Sequence, residues 1–220
     1  MTGQFRKMTK KESYHWGDRL RGDLIAEALR QVEPLGISAL SAREVARAVG
    51  VSHAAPAHYF PDKLSFAAAV ATAGYERMYD HIERALADVR NRASEKLVAA
   101  CTAYVEFALN KPGLYRSMYA AELAERQNNR DAPGTKKDDN IAALLEIKGR
   151  TYSLFVEIVR EGQTGGAFRK GRADDLARLA TAAAHGLARQ FIDEGLGARI
   201  DRLAHARQVF NLMLGGLEMR

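Results

Sequence analysis

The side chains best equipped for chemistry in this chain lie together in one short stretch. Between Ser41 and Lys63 the sequence reads SAREVARAVGVSHAAPAHYFPDK, which places His53, His58 and Lys63 close together. Two imidazoles and an ammonium at such spacing can hydrogen-bond to bases or phosphates. The alanines between them, Ala54, Ala55 and Ala57, are small enough for close approach and can touch a thymine methyl group. Nothing else in the chain is arranged for a reaction. There is no phosphate-binding loop, no dinucleotide glycine motif, no G-x-S-x-G and no Cys/His cluster at metal spacing. Cys101 is the one cysteine and falls on an apolar helix face, while His81 and His205 have no partner nearby in sequence. Catalytic residues, metal ligands and cofactors are therefore expected to be none.

Local signals say how this stretch is held. Ser41 followed by Glu44 has the form of a capping box, so a helix opens there. Val45, Ala46 and Val49 make its apolar face, and Gly50 ends it, because glycine alone takes the left-handed cap without steric cost. Val51 can pack inward, and Ser52 is placed to cap a second helix. Two short helices around such a turn form a helix–turn–helix, whose second helix fits a DNA major groove. Pro56 falls in the first turn of that helix, where a missing N–H costs least. A longer amphipathic segment precedes the motif from about Asp18 to Pro34, with Leu24, Ile25, Ala28, Leu29 and Val32 at helical spacing.

From about Leu20 to Val70 the chain resembles the DNA-binding domain of the TetR (tetracycline-repressor-type) family. Gly36, Leu40 and Ser41 match its step into the motif. Val45, Ala46, Gly50, Val51 and Ser52 match the turn, and Phe60, Lys63 and Leu64 match the end. Ala57 stands where most members carry a tyrosine that touches the phosphate backbone, Pro56 replaces a small apolar residue, and Tyr59 replaces a histidine. Motif and resemblance together nominate Ser41, Arg43, Ser52, His53, Ala54, Ala55, Ala57, His58, Tyr59 and Lys63 as DNA-facing. Lys63 matches the family's phosphate-contacting lysine. Arg43 and Arg47 on the outer face of the first helix are explained equally by DNA contact and by surface ion pairing.

The rest of the chain reads as helix throughout. A fourth helix opens near Asp62 and runs toward Val89, and another, capped by Ser94, ends at Lys111-Pro112-Gly113. Leu114–Glu125 is a shorter helix, followed by a polar, mobile loop from Arg126 to Asp139. Helices over 141–161, 174–194 and 200–217 complete the pattern, with a glycine-rich connector at 162–171. The chain is accordingly divided into a basic flexible tail (1–17), the helix–turn–helix domain (18–73) and a helical ligand-binding and dimerisation domain (74–220). The fold class is all-α. The basic tail can either reach a minor groove or simply keep the chain in solution.

Hydrophobic residues make up 47% of the 220-residue chain, enough for a core, and the net charge of +6 suits a polyanionic partner. No apolar run approaches the roughly 18 residues of a membrane span, no signal core opens the chain, and one cysteine fits a reducing compartment. A cytoplasmic protein without a membrane partner is expected. The second domain more weakly resembles a TetR sub-family marked by a tryptophan–histidine–glycine signature, through KPGLYRSMYAAE and through His185, Gly186 and Leu187, with Thr181 at the tryptophan position. A ligand cavity lined by Tyr104, Phe107, Met118, Tyr152, Phe155 and His185 is what this resemblance implies. Tyr115, Tyr119 and Phe191 are spread over the same converging helices.

The last helix carries Val209, Phe210, Leu212, Met213, Leu214 and Leu217, leaving little polar face. A second subunit is its simplest cover, with Leu187, Phe191, Phe210, Met213, Leu214 and Leu217 at the interface. The expected function is a homodimeric transcriptional repressor bound to a palindromic operator in double-stranded DNA and released by a moderately hydrophobic small molecule. Two rivals remain open: a DNA-binding regulator controlled by a protein partner without an effector, and a helical small-molecule-binding protein that has lost DNA binding.

Overall fold

A computed structural model describes residues 10–36, 40–89, 92–131, 138–195 and 201–217, with the side chains of 10–18, 35 and 122–131 left out. Among the described residues there are only helices. In chain order they are α1 (Lys10–Leu35), α2 (Ala42–Val49), a four-residue 3-10 turn (Ala55–His58), α3 (Lys63–Ala87), α4 (Ala93–Asn110), α5 (Pro112–Asp131), α6 (Asp139–Thr164), α7 (Ala173–Asp193) and α8 (Arg202–Gly215).

Caps written in the sequence set several of these boundaries. Ser41 Oγ accepts the Glu44 N–H at 3.4 Å, while the Glu44 carboxylate turns to Arg47, so only half of the expected capping box forms. Gly50, at φ 80°, closes α2 with a Schellman motif in which Gly50 N bonds Arg47 O and Val51 N bonds Ala46 O. The Asp62 carboxylate caps α3 through the Ser65 N–H at 2.7 Å, and Asp138 caps α6 through Asn140 and Ile141.

Other boundaries depart from expectation. α1 begins at Lys10, within the stretch expected to be flexible, and α5 continues to Asp131, through half of the expected loop. Apolar periodicity reports only the buried turns of a helix. Lys10, Lys11, Glu125 and Arg126 are good helix formers that lengthen it without adding to that period. Ser94 lies inside α4, whose N-cap is Arg92. Residues 1–9 of the basic tail and 132–137 of the loop lie outside the described residues.

α3 is the spine of the molecule. It packs against α1 at its start and against α4, α5 and α6 along its length, while α4 packs on α7 and α8 on its far side. Buried Phe66, Val70, Tyr75, Met78 and Ile82 run along α3 and make the core continuous from one end of the chain to the other. Two close approaches fix the helices around it. A Cβ on Gly74 would come within 2.7 Å of Met118 Cγ, and one on Gly113 would lie 1.9 Å from the Glu33 carbonyl oxygen. Gly113, in the first turn of α5, thus lets α5 sit directly on the last turn of α1.

Gly113→Ala is expected to destabilise the protein by at least the ~1–3 kcal/mol typical of overpacking, because backbone rather than a flexible side chain is in the way. Gly149→Ala, on an exposed turn of α6 with nothing within 4 Å, should instead stabilise it by about 0.5–1 kcal/mol. Urea unfolding of the two variants checks both signs; equal effects would refute the close approach at Gly113.

Candidate nucleic-acid interface and the tyrosine core behind it

The expected second helix of the motif is a single 3-10 turn, and Ser52 does not cap it by its side chain. Ala54 is the N-cap residue, and the Ser52 carbonyl accepts the Ala55 N–H at 3.0 Å. The cause is local. Pro56 has no N–H to extend an α-helix, and Phe60 precedes Pro61, which disfavours helical backbone at Phe60. The Pro56 carbonyl accepts both Tyr59 N–H and Phe60 N–H, at 3.0 and 2.9 Å, and the element stops there.

The turn is anchored from below and open above. Pro56 and Phe60 are buried, with Phe60 stacked 4.6 Å from Phe66 and the Arg21 guanidinium 5.8 Å from its ring. Ser52, His53, Ala54, Ala57 and His58 are exposed, Ala55 and Tyr59 half-buried, and Lys63 is exposed at the first position of α3. Arg43 lies exposed on α2. Arg47 is held by Glu44 in an ion pair, and the Ser41 hydroxyl is engaged as a cap. His53, Ala54, Ala57, His58 and Lys63 are thus all exposed within eleven residues of chain, while Ser41 and Tyr59 are half-buried.

Asn140 joins this surface to the second half of the chain, a role that sequence reading missed. Its amide, 7% exposed, donates to the Tyr59 carbonyl and to Ser65 Oγ, each at 2.9 Å, and its Oδ1 accepts from Arg21 Nη2 at 2.7 Å. Contacts spanning such sequence distances leave no local signal.

In the second half, Tyr104, Met118 and His185 come together with Tyr115 and Tyr119. Tyr115 Oη lies 2.7 Å from His185 Nδ1 and donates to Tyr104 Oη at 3.3 Å, while Tyr104 and Tyr119 share a hydroxyl contact. The Tyr119 ring stacks on His185 with centroids 4.2 Å apart. The other expected lining residues sit elsewhere. Phe107 faces His81, Tyr152 Oη donates to the Asp174 carbonyl, and Phe155 is buried in the core between helices. Two clefts, of about 1040 and 590 Å³, touch none of these six residues.

The expected cover for α8 also differs. Leu187, Phe191, Phe210, Leu214 and Leu217 are buried within the single chain, where α8 packs on α4 and α7. No second subunit is needed to bury them. Met213 is half-buried, and Leu212, at 74% exposure, points outward.

Comparisons with known proteins agree with this architecture. The model of the tetracyclin repressor-like, C-terminal domain matches residues 97–216. A protein of unknown function from Rhodococcus sp. RHA1 is 31% identical, with 91% of this chain and 96% of that one covered at a TM-score of 0.75. A bacterial regulatory protein of the tetR family from Rhodococcus RHA1 shares the fold at 20% identity, covering 91% and 97% at a TM-score of 0.65. A protein from Saccharomonospora viridis, described as a transcriptional regulator and bound to choline, is 25% identical over 92% of this chain and all of its own, at a TM-score of 0.64. No curated protein matches by sequence. The chain belongs to the TetR family, whose members are transcriptional regulators and not enzymes.

Burial raises the Tyr104 and Tyr115 phenols well above their ordinary value of 10.0. In the unfolded chain both ionise near 10; in the folded chain they stay protonated. Their contribution to stability is thus complete below pH 10 and is lost as the pH climbs toward the raised folded values. Unfolding free energy should fall as the pH passes 10, and Tyr104→Phe should make that fall shallower. Denaturant titrations from pH 8 to 11 measure the slope, and identical slopes would contradict the burial of this phenol.

Proposed function

We propose that the protein is a homodimeric repressor that binds a palindromic operator in double-stranded DNA, in the cytoplasm, and leaves it when a small molecule binds. One observation carries this reading: an anchored turn presents His53, Ala54, Ala57 and His58 outward, with Lys63 beside them at the start of α3. The alanines let backbone approach a groove, His53 and His58 supply hydrogen bonds to base edges or phosphates, and Lys63 neutralises a phosphate. Arg43, Ser52, Ala55 and Tyr59 flank these groups. Because the reading element is a single turn, it contacts few bases, and phosphate contacts carry a large share of the affinity.

The two-headed arrangement uses the outward faces of α7 and α8. Leu179 and Leu212 are 46% and 74% exposed, with Ala182 and Gly186 exposed along the same side of α7 as Leu179. Gly186 costs about 1 kcal/mol inside a helix, yet a Cβ there would meet nothing within 4 Å in its own chain. A second copy lying close on α7 gives that glycine a use, in an isologous helix–helix contact.

The effector site is proposed at Tyr104, Met118, Tyr115, Tyr119 and His185, where α4, α5 and α7 meet. Burial holds the Tyr104 and Tyr115 phenols neutral, so the wall suits a moderately hydrophobic, weakly polar molecule rather than a multiply charged one. The Saccharomonospora viridis regulator binds choline, a small organic molecule, in the same fold. The close hydrogen bonding among these side chains favours a second reading, in which the core stays filled and a protein partner controls DNA binding.

Lys63→Ala should weaken binding to operator and non-operator duplex alike, and lower the salt dependence of log K by roughly one unit per subunit. Fluorescence anisotropy across a salt series measures it, and an unchanged slope would remove Lys63 from the phosphate contacts. For assembly, Leu179→Glu with Leu212→Glu should give a folded monomer by sedimentation and abolish tight operator binding, since both side chains already face solvent in one chain. A double variant that stays dimeric would place the interface elsewhere.

A further inference from the structure

The cleft of about 590 Å³ lies away from the tyrosine core, walled by the end of α3, one face of α4 and one face of α8. Its apolar floor includes Val89, Val98 and Leu214, and carboxylates stand around it on Asp88, Glu95 and Glu106, against one guanidinium on Arg207. The volume is that of a small-molecule site. Arg92 stands 3.9 Å from Glu95 just outside the lining, and three carboxylates against these two guanidinium groups still leave the field negative.

Thr102 also lines it, and its hydroxyl is unusual. Thr72, Thr151 and Thr181 each return their hydroxyl to the carbonyl four residues earlier, at 2.9, 2.8 and 2.9 Å. Thr102, equally helical and only 5% exposed, does not; its Oγ is buried with no hydrogen-bond partner. A buried hydroxyl without a partner is destabilising, and few persist in folded proteins. Thr102 itself lines this negatively charged, apolar-floored cleft, one helical turn before Glu106.

We propose that this cleft binds a small organic cation with an apolar body. Its ammonium donates to Thr102 Oγ and to the Glu106 carboxylate, and its hydrocarbon part covers Val89, Val98 and Leu214. Glu106 has a second partner on the neighbouring helix, His81 Nε2 at 3.2 Å, which steadies the carboxylate beside the cleft. The binding site is separate from the one proposed for the effector, and its test does not depend on DNA binding.

The full-length protein is titrated calorimetrically with n-hexylamine hydrochloride, 1-hexanol and sodium hexanoate. Saturable binding is expected for the amine, weaker binding for the alcohol and none for the carboxylate. Thr102→Val should weaken the amine about fivefold to tenfold, the loss of one hydrogen bond, without lowering the melting temperature, because it deletes an unpartnered hydroxyl. Thr102→Ser, which keeps the hydroxyl, should retain the affinity. Tyr104→Phe should leave the amine unaffected, which separates this cleft from the tyrosine core. Absence of amine binding, equal binding of hexanoate, or undiminished amine affinity in Thr102→Val would overturn the proposal. If Thr102→Val fails to fold, loss of amine binding in Glu106→Gln supports it and retention overturns it.

Discussion

The buried amide of Asn140 is the interaction on which the surface proposed to face DNA depends. A one-turn 3-10 element has little stability of its own, since its few hydrogen bonds scarcely repay the backbone order they require. Its outgoing end is held because the Tyr59 carbonyl receives a donor from α6, while the same amide reaches Ser65 on α3 and accepts from Arg21 on α1. Three of the amide's four hydrogen-bonding sites are thereby used within one small buried volume. Removing it would strand a carbonyl, a hydroxyl and a guanidinium at once, which costs more than the bonds themselves contribute. Asn140 sits in the first turn of α6, directly after the Asp138 cap, so a movement of α6 is felt at Tyr59 without any intermediary.

Gly113 makes the second connection. With its bare Cα against the Glu33 carbonyl, α5 and α1 cannot slide independently, and the Glu33 carboxylate reaches the Leu114 N–H at 3.3 Å. The head is therefore tied to the body at α6 and at α5, the helix that also carries Tyr115 and Tyr119 of the tyrosine core. Under the proposed function this is a physical route for control: a ligand or partner that prefers one placement of α5 or α6 would shift the population of head positions by its differential affinity. The cleft between α3, α4 and α8 includes none of the residues that make these two connections.

Local interactions were legible in the sequence, and long-range ones were not. Ser41, Gly50 and Asp62 act on residues within four positions of themselves, and all three stand where the sequence puts them. Helical spacing overstates the length of the Ala55–His58 turn, because two prolines act against it from inside and outside. Helix ends built from Lys, Glu and Arg carry no apolar period, so helical spacing does not extend to them. The aromatic residues showed a core, yet no periodicity separates Tyr104 and His185, which meet, from Phe107 and Tyr152, which point to other neighbours. For α8 the apolar pattern shows that the helix is covered and not by what: Phe210 and Leu214 are covered within the chain, and Leu212 is left outside. Asn140 had no sequence signal, because a lone asparagine after a capping aspartate looks like any helix start.

The central claim is that this surface reads DNA as one of a symmetric pair. Selection from a pool of random-sequence duplexes by the full-length protein tests it most directly. The account predicts enrichment of one inverted repeat, with short half-sites separated by about one helical turn or a multiple of it, and loss of the enrichment for His53→Ala with His58→Ala. Recovery of unenriched sequence, or of a single asymmetric site, would contradict it.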